Sequence, residues 1–384
     1  MTDMKQGFPV DTQFETLAVH SGGSPDETTG AIASPIHLST TFERTPDAQY
    51  PRGFGYIRDG NPTQSRLEEA LAVLDGGELA LAFASGMAAA AAIVQSLPSG
   101  SHVILPEDGY FTVRVLARDY LDKWGMSYDL VDVTDREAVE GAVRPATRLI
   151  WAESPSNPLM RVADIVSLSE VAKSAQAQLV IDGTFATPAL QRPLALGANI
   201  VLHSTTKYLG GHSDVQGGAL VFRERDKLSE IVTQTRKVLG AVASPFNSWL
   251  ILRGVRSLSA RMRVHCENAM RVATFLQTHP RVEAVHYPGL PEDPGHSVAT
   301  RQMRAFGGML SFRVRGGKGE TIAVISRTRI FTPATSLGGV ESLIEHRSSA
   351  EGAESTTPGN LIRLSIGLEH SDDLIGDLKQ ALDG

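Results

Sequence analysis

The chain is poor in features that mark several protein classes, beginning with cysteine. Cys266 is the single cysteine among 384 residues, so no internal disulfide framework can form. There is no excess of positive charge, because 36 Lys and Arg residues against 43 Asp and Glu residues give a formal net charge of −7. This balance argues against nucleic acid or an anionic membrane surface as the main partner.

Long apolar stretches are also missing. No run of residues approaches the length of a membrane span, and residues 1–7 lack the apolar centre of a secretion signal. The remaining composition is ordinary for a globular protein, with 42% apolar and 21% charged residues. We therefore expect a cytoplasmic protein that acts on a small molecule, binds neither nucleic acid nor membrane, and has no metal site.

Strand and helix patterns alternate through the middle of the chain, between residues 61 and 254. Predicted strands cover 79–83, 102–105, 127–133, 148–151, 178–182, 200–203 and 218–222, and predicted helices cover 62–74, 86–97, 111–124 and 164–175. This alternation predicts the α/β class, with a mostly parallel sheet and helices on both faces. Ligands bind beyond the carboxyl ends of such strands. That rule brings five residues to one rim: Ser85, Tyr110, Glu153, Asp182 and Lys207.

The two flanks of this region differ from it. Residues 1–60 show little periodicity and much Gly, Pro, Ser and Thr, which predicts an extended arm lying on another surface, such as another subunit. Residues 255–384 predict a long connector helix over 255–278 and a smaller C-terminal α+β domain. Its predicted strands cover 282–287, 309–313 and 361–364, its exposed loop covers 348–359, and its last helix covers 372–382 with Ser371 as cap.

Lys207 lies in a hydroxyl-rich stretch, His203-Ser-Thr-Thr-Lys-Tyr-Leu-Gly-Gly-His212, that follows the apolar run 198–202. A lysine amine can form a Schiff base with a carbonyl, and hydroxyls can hydrogen-bond a phosphate. Pyridoxal phosphate carries both an aldehyde and a phosphate. These ten residues alone nevertheless favour a solvated loop with one surface lysine, so the interpretation depends on the rest of the chain.

Two further segments fit a phosphate and a pyridine ring. Ser85, Gly86 and Met87 join a predicted strand to a helix, where backbone N–H groups and the positive helix end attract an anion. Asp182 ends a strand and could pair with a protonated pyridine nitrogen. Taken singly, both segments are better explained as helix caps or turns.

Two basic side chains and a pair of tyrosines complete the candidates. Tyr56 and Arg58 share one side of an extended segment and could both donate to phosphate oxygens. Arg363 lies in the apolar run 361–366, where an arginine is costly unless it meets an anion. A substrate carboxylate and a structural Asp or Glu are equally plausible partners for it. Tyr110 could stack on a flat ring or simply pack in the core.

The order of these segments resembles one family, the Cys/Met-metabolism (transsulfuration) family of pyridoxal-phosphate-dependent enzymes. Each motif is weak alone, but their order over nearly the whole chain is highly specific. The motifs are Tyr56-x-Arg58-x-Gly60-Asn61-Pro62-Thr63, Ala84-Ser85-Gly86-Met87, Glu153-Ser-Pro-Ser-Asn157-Pro158, Ile181-Asp182-Gly-Thr184-Phe185, His203-Ser204-x-Thr206-Lys207-Tyr208-x-Gly210-Gly211-His212-x-Asp214, Ser336-Leu337-Gly338-Gly339-x-Glu341-Ser342 and Arg363-Leu-Ser-x-Gly367-x-Glu369.

The resemblance implies a fold-type I enzyme with pyridoxal 5'-phosphate as its cofactor, bound by the domain 61–254. Lys207 would hold the cofactor covalently and later move protons, Tyr110 would stack on the ring, and Asp182 would pair with its nitrogen. The other implied cofactor contacts are Tyr56, Arg58, Gly86, Met87, Thr184, Ser204 and Thr206, and the implied contacts of the substrate carboxylate are Asn157, Ser336 and Arg363. Because Tyr56 and Arg58 would reach the phosphate of a neighbouring subunit, the resemblance also implies a homo-oligomer, a tetramer of two such dimers.

Three departures from the family pattern bear on the reaction. The loop after Tyr110 is one residue shorter than the common form. Thr335 stands where many γ-synthases and γ-lyases carry a glutamate for the distal amine of the substrate. The segment Glu345-His-Arg347-Ser-Ser349 replaces the common Pro-x-x-Met-Thr-His.

Other details are similar to the plant-type cystathionine γ-synthase branch of the family, namely Asp182-Gly-Thr-Phe-Ala-Thr-Pro188, Tyr287-Pro-Gly-Leu-Pro291 and Arg301-Gln-Met303 followed by Phe306-Gly-Gly308. The resemblance therefore favours γ-replacement on an activated L-homoserine ester by a thiol such as cysteine. A C–S lyase that catalyses γ- or β-elimination on cystathionine or methionine is the alternative. A cofactor-binding protein with a degenerate site and a structural or regulatory role is the alternative of another class.

Overall fold

A computed structural model describes residue 9 and residues 11–352 and 355–384. The α-helices among these residues are Phe14–His20, Pro62–Asp75, Gly86–Gln95, Phe111–Leu116, Arg136–Ala142, Ile165–Ser174, Thr187–Leu190, Lys227–Leu239, Pro245–Val255, Leu258–Thr278, His296–Gln302, Lys318–Arg327, Arg347–Glu351 and Ser371–Asp383. A π-helix over Ala117–Leu121 and 3₁₀-helices over Asp122–Trp124 and Pro193–Leu196 complete the helical segments. No described helix combines the length and the apolar character needed to cross a bilayer.

The larger sheet carries the site. Its strands, in chain order, are β1 (Leu79–Phe83), β2 (His102–Pro106), β3 (Ser127–Val131), β4 (Thr147–Glu153), β5 (Gln178–Asp182), β6 (Ile200–His203) and β7 (Gly218–Phe222). Their spatial order is β1-β7-β6-β5-β4-β2-β3. Only β7 runs antiparallel to its neighbours β1 and β6, and the other pairs in this sheet are parallel. The prediction of a mostly parallel sheet is confirmed.

Helices cover both faces of this sheet because its strands are apolar on both sides. On one face, Ala80 and Ala82 of β1 lie in the same buried cluster as Leu67 and Leu71 of the helix Pro62–Asp75. On the other face, Leu81 and Leu220 lie in the same buried cluster as Ile93 of the helix Gly86–Gln95. Burial of two faces explains why these strands are continuous apolar runs, which made them easy to locate in the sequence.

A second sheet follows the helix Leu258–Thr278. Its strands are β8 (Val282–His286), β9 (Met309–Val314), β10 (Thr332-Pro333), β11 (Leu343–His346) and β12 (Leu361–Ser365), in the spatial order β10-β11-β12-β9-β8. All its pairs are antiparallel except β10 with β11. Its apolar face packs against the helices Leu258–Thr278 and Ser371–Asp383.

Two helix predictions are wrong in detail. The helix expected over 255–278 begins at Leu258, since Val255 ends the preceding helix Pro245–Val255 and Arg256 and Ser257 separate the two helices. The last helix is capped by His370, whose side chain accepts from the N–H of Asp372, whereas Ser371 is already inside the helix. An imidazole nitrogen performs here the capping role that is more often filled by a hydroxyl.

Two predictions of irregular structure are also wrong in part. Residues 14–20 of the predicted extended arm form a helix, and Phe14, Leu17 and Ala18 are buried in the main core. The loop predicted over 348–359 overlaps the helix Arg347–Glu351, whose two end residues are buried. Residues 353 and 354 of that predicted loop lie outside the described residues.

Candidate active site

A cavity of about 480 Å³ opens at the carboxyl ends of the parallel strands. The rim residues expected from the strand order all line it, together with side chains from the second sheet. The lining that concerns the chemistry is Ser85, Gly86, Met87, Tyr110, Glu153, Asn157, Asp182, Thr184, Ser204, Thr206, Lys207, Thr335, Ser336, Arg347, Glu351 and Arg363.

Tyr56 and Arg58 are the predicted site residues that lie outside the cavity lining. Tyr56 is 46% exposed. The guanidinium of Arg58 lies 5.3 Å from the centre of the Tyr56 ring. Arg58 also donates to the backbone carbonyl of Lys237 at 3.0 Å. The pair therefore lies on the surface of its own chain.

Lys207 occupies the middle of the cavity, just beyond the end of β6. Its Nζ donates to Oγ of Ser336 at 2.5 Å. Burial, followed by the positive charge of Arg363, lowers the pKa of Lys207 to about 8. The lowered pKa raises the unprotonated fraction of this amine at neutral pH, and the unprotonated form is the one that acts as a nucleophile or a proton acceptor.

The loop that follows Lys207 is fixed from two directions. Arg261 donates to the carbonyl of Tyr208 at 2.8 Å and to that of Gly254 at 2.7 Å. Gly338 approaches from the other side at a φ of 79°, and a Cβ there would lie 2.6 Å from the nitrogen of Tyr208. Only glycine fits this approach, which explains why the sequence after Ser336 contains one.

Asp182 lies at the end of β5 and is almost fully buried. Its Oδ1 accepts from the N–H of Thr184 at 3.0 Å and from the hydroxyl of Thr184 at 2.5 Å. Burial raises the pKa of this carboxyl, and the two bonds from Thr184 oppose the rise. Thr184 therefore contributes by orienting Asp182, and its hydroxyl also accepts from the N–H of Ser204 at 2.9 Å.

Tyr110 is positioned by Glu153, which lies beside Asp182 in the register of β4 and β5. The backbone N–H of Tyr110 donates to Oε2 of Glu153 at 2.7 Å. Burial, reinforced by the charge of Asp182, raises the pKa of Glu153 well above its usual range. Glu153 thus fixes the start of the Tyr110 loop, and burial favours the neutral form of its carboxyl.

The other end of the cavity has the character of an anion site. Ser85 caps the helix Gly86–Gln95 by accepting from the N–H of Ala88 at 3.1 Å. The N–H groups of Gly86 and Met87, in the first turn, point along the helix axis toward the cavity. A Cβ on Gly86 would lie 3.0 Å from Cβ of Ser204, so the two segments approach closely. The Thr206 hydroxyl donates to the carbonyl of Gly217 at 3.1 Å and thereby fixes the same loop.

Arg363 meets one of the two partners that the sequence left open, a structural glutamate. Its guanidinium donates to Oδ1 of Asn157 and to the carbonyl of Ser336, each at 3.0 Å. It also lies 2.6 Å from a carboxylate oxygen of Glu345 on β11, the strand paired with β12. Glu345 balances the buried charge, while Asn157 and Ser336 hold the guanidinium at the cavity wall.

Comparison with known proteins agrees with this arrangement. The family model for Cys/Met metabolism PLP-dependent enzymes matches residues 15–383. The chain belongs to this family. It is 48% identical over 373 residues to the cystathionine gamma-synthase of Mycobacterium tuberculosis, covering 96% of each chain. It is 43% identical over 381 residues to the cystathionine beta-lyase of Coxiella burnetii, covering 97% of this chain and 98% of the relative.

The fold of the chain is also similar to that of a solved structure. The cystathionine gamma synthase of Xanthomonas oryzae pv. oryzae, in complex with cystathionine, is 40% identical and superposes with a TM-score of 0.93. The match covers 97% of this chain and 98% of that one. The fold-type I architecture and the enzyme class expected from the sequence are confirmed.

The residues present fit the family's cofactor, pyridoxal 5'-phosphate. Lys207 supplies an amine of lowered pKa. Both described hydrogen bonds of Asp182 use Oδ1, so that Oδ2 is available to a ring nitrogen. The helix end at Gly86 and Met87 supplies the donors that a phosphate requires.

The sequence interpretation missed four residues at or below the site. Glu345 and Arg347 were noted only as a departure from the family pattern, although their charges beside an apolar strand were a signal for a buried ion pair. Asp75 and His203 form a fully buried pair, with 2.9 Å between Oδ2 and Nε2. His203 is the first residue of the hydroxyl-rich stretch that contains Lys207, so this pair connects the base of the site to the helix Pro62–Asp75.

Proposed function

We propose that the protein joins an activated L-homoserine ester to a thiol such as cysteine, as a cystathionine γ-synthase does. One relationship carries the proposal: Lys207 and Arg363 both bond Ser336, the lysine through Oγ at 2.5 Å and the arginine through the carbonyl at 3.0 Å. An α-amino acid whose carboxylate binds Arg363 has its amine and Cα beside Lys207. The 48% identity to a cystathionine gamma-synthase over 96% of the chain supports this choice within the family.

The residues divide the reaction among them. When bound, pyridoxal phosphate supplies an electron sink that makes the Cα proton of the substrate acidic. Lys207 accepts that proton and returns protons to the substrate carbon chain, while Arg363 and Asn157 hold the α-carboxylate. Removal of a Cβ proton then supplies the electron pair that lets the Cγ–O bond break, and the acid of the ester leaves. The thiol sulfur then forms the Cγ–S bond and releases its proton, so that atoms and charge balance.

Elimination is the second candidate, because the same groups serve both reactions. If no thiol adds after the acid of the ester, or the thiol of a thioether, has left, the remaining carbon chain is protonated and its C–N bond is hydrolysed by water to give a 2-oxo acid and ammonia. The 43% identity to the cystathionine beta-lyase of Coxiella burnetii supports this candidate. Thr335 stands in place of the glutamate that is common at this position. It therefore supplies no carboxylate for the distal amine of the substrate.

A substrate panel tests the proposal. The purified enzyme is offered O-acetyl-, O-succinyl- and O-phosphohomoserine with and without cysteine, and cystathionine alone. Cystathionine, 2-oxobutanoate and pyruvate are then measured. We expect cystathionine to be the main product when one of the esters is offered with cysteine. The enzyme would instead be a lyase if it released 2-oxobutanoate or pyruvate from cystathionine faster than it made cystathionine from any of the three esters.

We further propose that the active sites are shared across a homodimer, and that two dimers form a tetramer. Tyr56 and Arg58 lie on the surface, and the same arm exposes the large apolar side chains Ile32, Leu38 and Tyr50. Contact with a second copy would bury these side chains and bring Tyr56 and Arg58 to its phosphate site. Mixing Lys207→Ala and Arg58→Ala subunits should restore activity, since one site per dimer is then intact. No recovery in verified mixed oligomers would contradict sharing.

The division of the chain into an arm (1–60), a cofactor-binding domain (61–254) and a C-terminal region (255–384) is also a proposal, as is the cytoplasmic location. Limited proteolysis of the holoenzyme should cut first near these boundaries. Cell fractionation tests the location.

A further inference from the structure

Arg347 lines the substrate side of the cavity together with Thr335 and Arg363. It begins the short helix Arg347–Glu351, directly after β11. The segment that contains it departs from the common family pattern, and the reaction described above assigns Arg347 no role. A second arginine in an amino-acid site therefore requires an explanation.

Two glutamates hold the Arg347 guanidinium in one position. Its Nε donates to Oε1 of Glu351 at 3.1 Å, and its Nη1 donates to Oε2 of Glu345 at 3.3 Å. The second oxygen of Glu351 accepts from the hydroxyls of Ser355 at 2.6 Å and Thr357 at 2.8 Å. Glu351 is thereby saturated with donors, and its side chain is only 1% exposed.

One arm of the Arg347 guanidinium remains available. Nη2 has no hydrogen bond to any residue that the structure describes, although the Arg347 side chain is only 9% exposed. Arg347 also acts electrostatically on the centre of the site. After burial and Arg363, its charge further lowers the pKa of Lys207. Arg347 therefore presents an unused hydrogen-bond donor at the wall of the cavity, and its positive charge acts on Lys207 inside the cavity.

Resting on the proposed function, we infer that Arg347 determines specificity by binding an anionic group at the distal end of the substrate. Arg363 and Asn157 take the α-carboxylate, so a second fixed guanidinium favours a substrate with a second negative group. Cysteine and cystathionine carry such a carboxylate at the thiol end. A succinyl or phosphoryl ester carries an anion at the leaving-group end, whereas an acetyl ester does not.

Matched substrates distinguish the two sources of the anion. With the ester held constant, cysteine is compared with cysteamine, the same thiol without its carboxylate. With the thiol held constant, O-succinylhomoserine is compared with O-acetylhomoserine. The anionic members of the two pairs are cysteine and O-succinylhomoserine. In Arg347→Met, the kcat/KM of the anionic member should fall more than the kcat/KM of its neutral partner in one of the two pairs, by a factor of about 10 to 100. Arg347→Lys should recover part of this selectivity.

The control is Arg313→Met. Arg313 pairs with Glu283 at 3.0 Å in the same sheet but does not line the cavity. Its replacement should leave both substrate ratios unchanged. The pair whose ratio changes in Arg347→Met identifies the distal anion. Equal losses for all four substrates in Arg347→Met would overturn the inference and leave Arg347 a structural residue.

A ligand titration of the unmodified holoenzyme keeps the inference testable if Arg347→Met does not fold, because removing Arg347 leaves two carboxylates buried. The visible spectrum is titrated with norleucine and with 2-aminopimelate, which adds a terminal carboxylate to the same chain. We expect 2-aminopimelate to bind about 10-fold more tightly or better. Equal affinities would overturn the inference. If the substrate panel yields no cystathionine, the proposed function fails while this preference still stands.

Discussion

The Nζ atom of Lys207 lies 2.5 Å from the hydroxyl of Ser336, a residue held at a φ of +77°. This left-handed conformation is unfavourable for a residue with a Cβ. It turns the hydroxyl of Ser336 toward the lysine and its carbonyl toward Arg363. Ser336 thus fixes the separation between Lys207 and Arg363, the two groups proposed to move protons and to bind the carboxylate.

Two substitutions at Ser336 separate its hydroxyl from its backbone conformation. Ser336→Ala and Ser336→Gly both remove the contact to Lys207, so kcat should fall by roughly 10-fold in each while the cofactor stays bound. Glycine tolerates the positive φ, and alanine should be less stable than glycine by about 1 to 2 kcal/mol. Steady-state kinetics and denaturant midpoints measure the two effects. Unchanged kcat in both variants would remove Ser336 from the mechanism.

Cofactor uptake by the apoprotein should follow the ionisation of Lys207. The unprotonated amine is the nucleophile, and its pKa is about 8 rather than the ordinary 10.5. The uptake rate constant should therefore rise with pH and level off above about 8. In Arg363→Met, the positive charge that lowers the pKa of Lys207 is gone, while the charge of Glu345, which raises it, remains. The midpoint of the pH dependence of cofactor uptake should therefore move to higher pH. A wild-type rate that continues to climb to pH 10 would mean that the amine is not perturbed.

The hydroxyl of Thr184 should contribute to cofactor affinity through Asp182 and Ser204. Thr184→Val removes the 2.5 Å bond to Asp182 and leaves the N–H of Ser204 without its acceptor. A loss of about 1 to 3 kcal/mol, which is about 5- to 150-fold in the Kd of pyridoxal phosphate, is expected. Thr184→Ser keeps the hydroxyl and serves as the control. Equal Kd values for the valine and serine variants would show that the hydroxyl is not needed.

The buried pair of Asp75 and His203 should stabilise the fold most at mildly acidic pH. Burial alone would lower the pKa of His203, but the charge and hydrogen bond of Asp75 raise it above 6.5. Because the pKa of His203 is higher in the folded than in the unfolded state, the pair stabilises the fold fully at pH values below the unfolded-state pKa. This stabilisation is lost as the pH rises through the folded-state pKa. Asp75→Asn should therefore cost about 3 kcal/mol at pH 6 and less at pH 9.

A double variant controls for the loss of a single partner. Asp75→Asn combined with His203→Gln replaces the charged pair by two neutral groups of similar shape, and it should recover much of the stability. Denaturant unfolding at pH 6 and pH 9 measures both variants. A loss that is the same at the two pH values would indicate that His203 does not change its protonation between pH 6 and pH 9, and would contradict this prediction.

The sequence predicted the large sheet well because its strands are short apolar runs that end at turn residues, as in Gln178–Asp182. The second sheet was less visible. Its strand Leu343–His346 ends in two polar residues, Glu345 and His346, and Thr332-Pro333 is a two-residue edge strand that contains a proline. The helix Phe14–His20 was hidden because it is only seven residues long.

The candidate site was predicted where its residues follow local strand ends, as Lys207 and Asp182 do. Contacts between residues that are far apart in the sequence could not be predicted from the local sequence pattern. Asp75 and His203 are 128 positions apart, and their pairing depends on how a helix packs beneath β6. Glu345 becomes the partner of Arg363 only through the antiparallel register of β11 and β12.

The central claim is that Lys207 holds the cofactor and moves protons at the centre of the cavity. Borohydride reduction of the coloured holoenzyme, followed by peptide mass mapping, tests it most directly. We predict that the visible band is lost and that the phosphopyridoxyl mass is fixed on the peptide containing Lys207. Lys207→Ala should show neither the reducible band nor the label. A label on another lysine, or an unchanged reducible band in Lys207→Ala, would contradict the account.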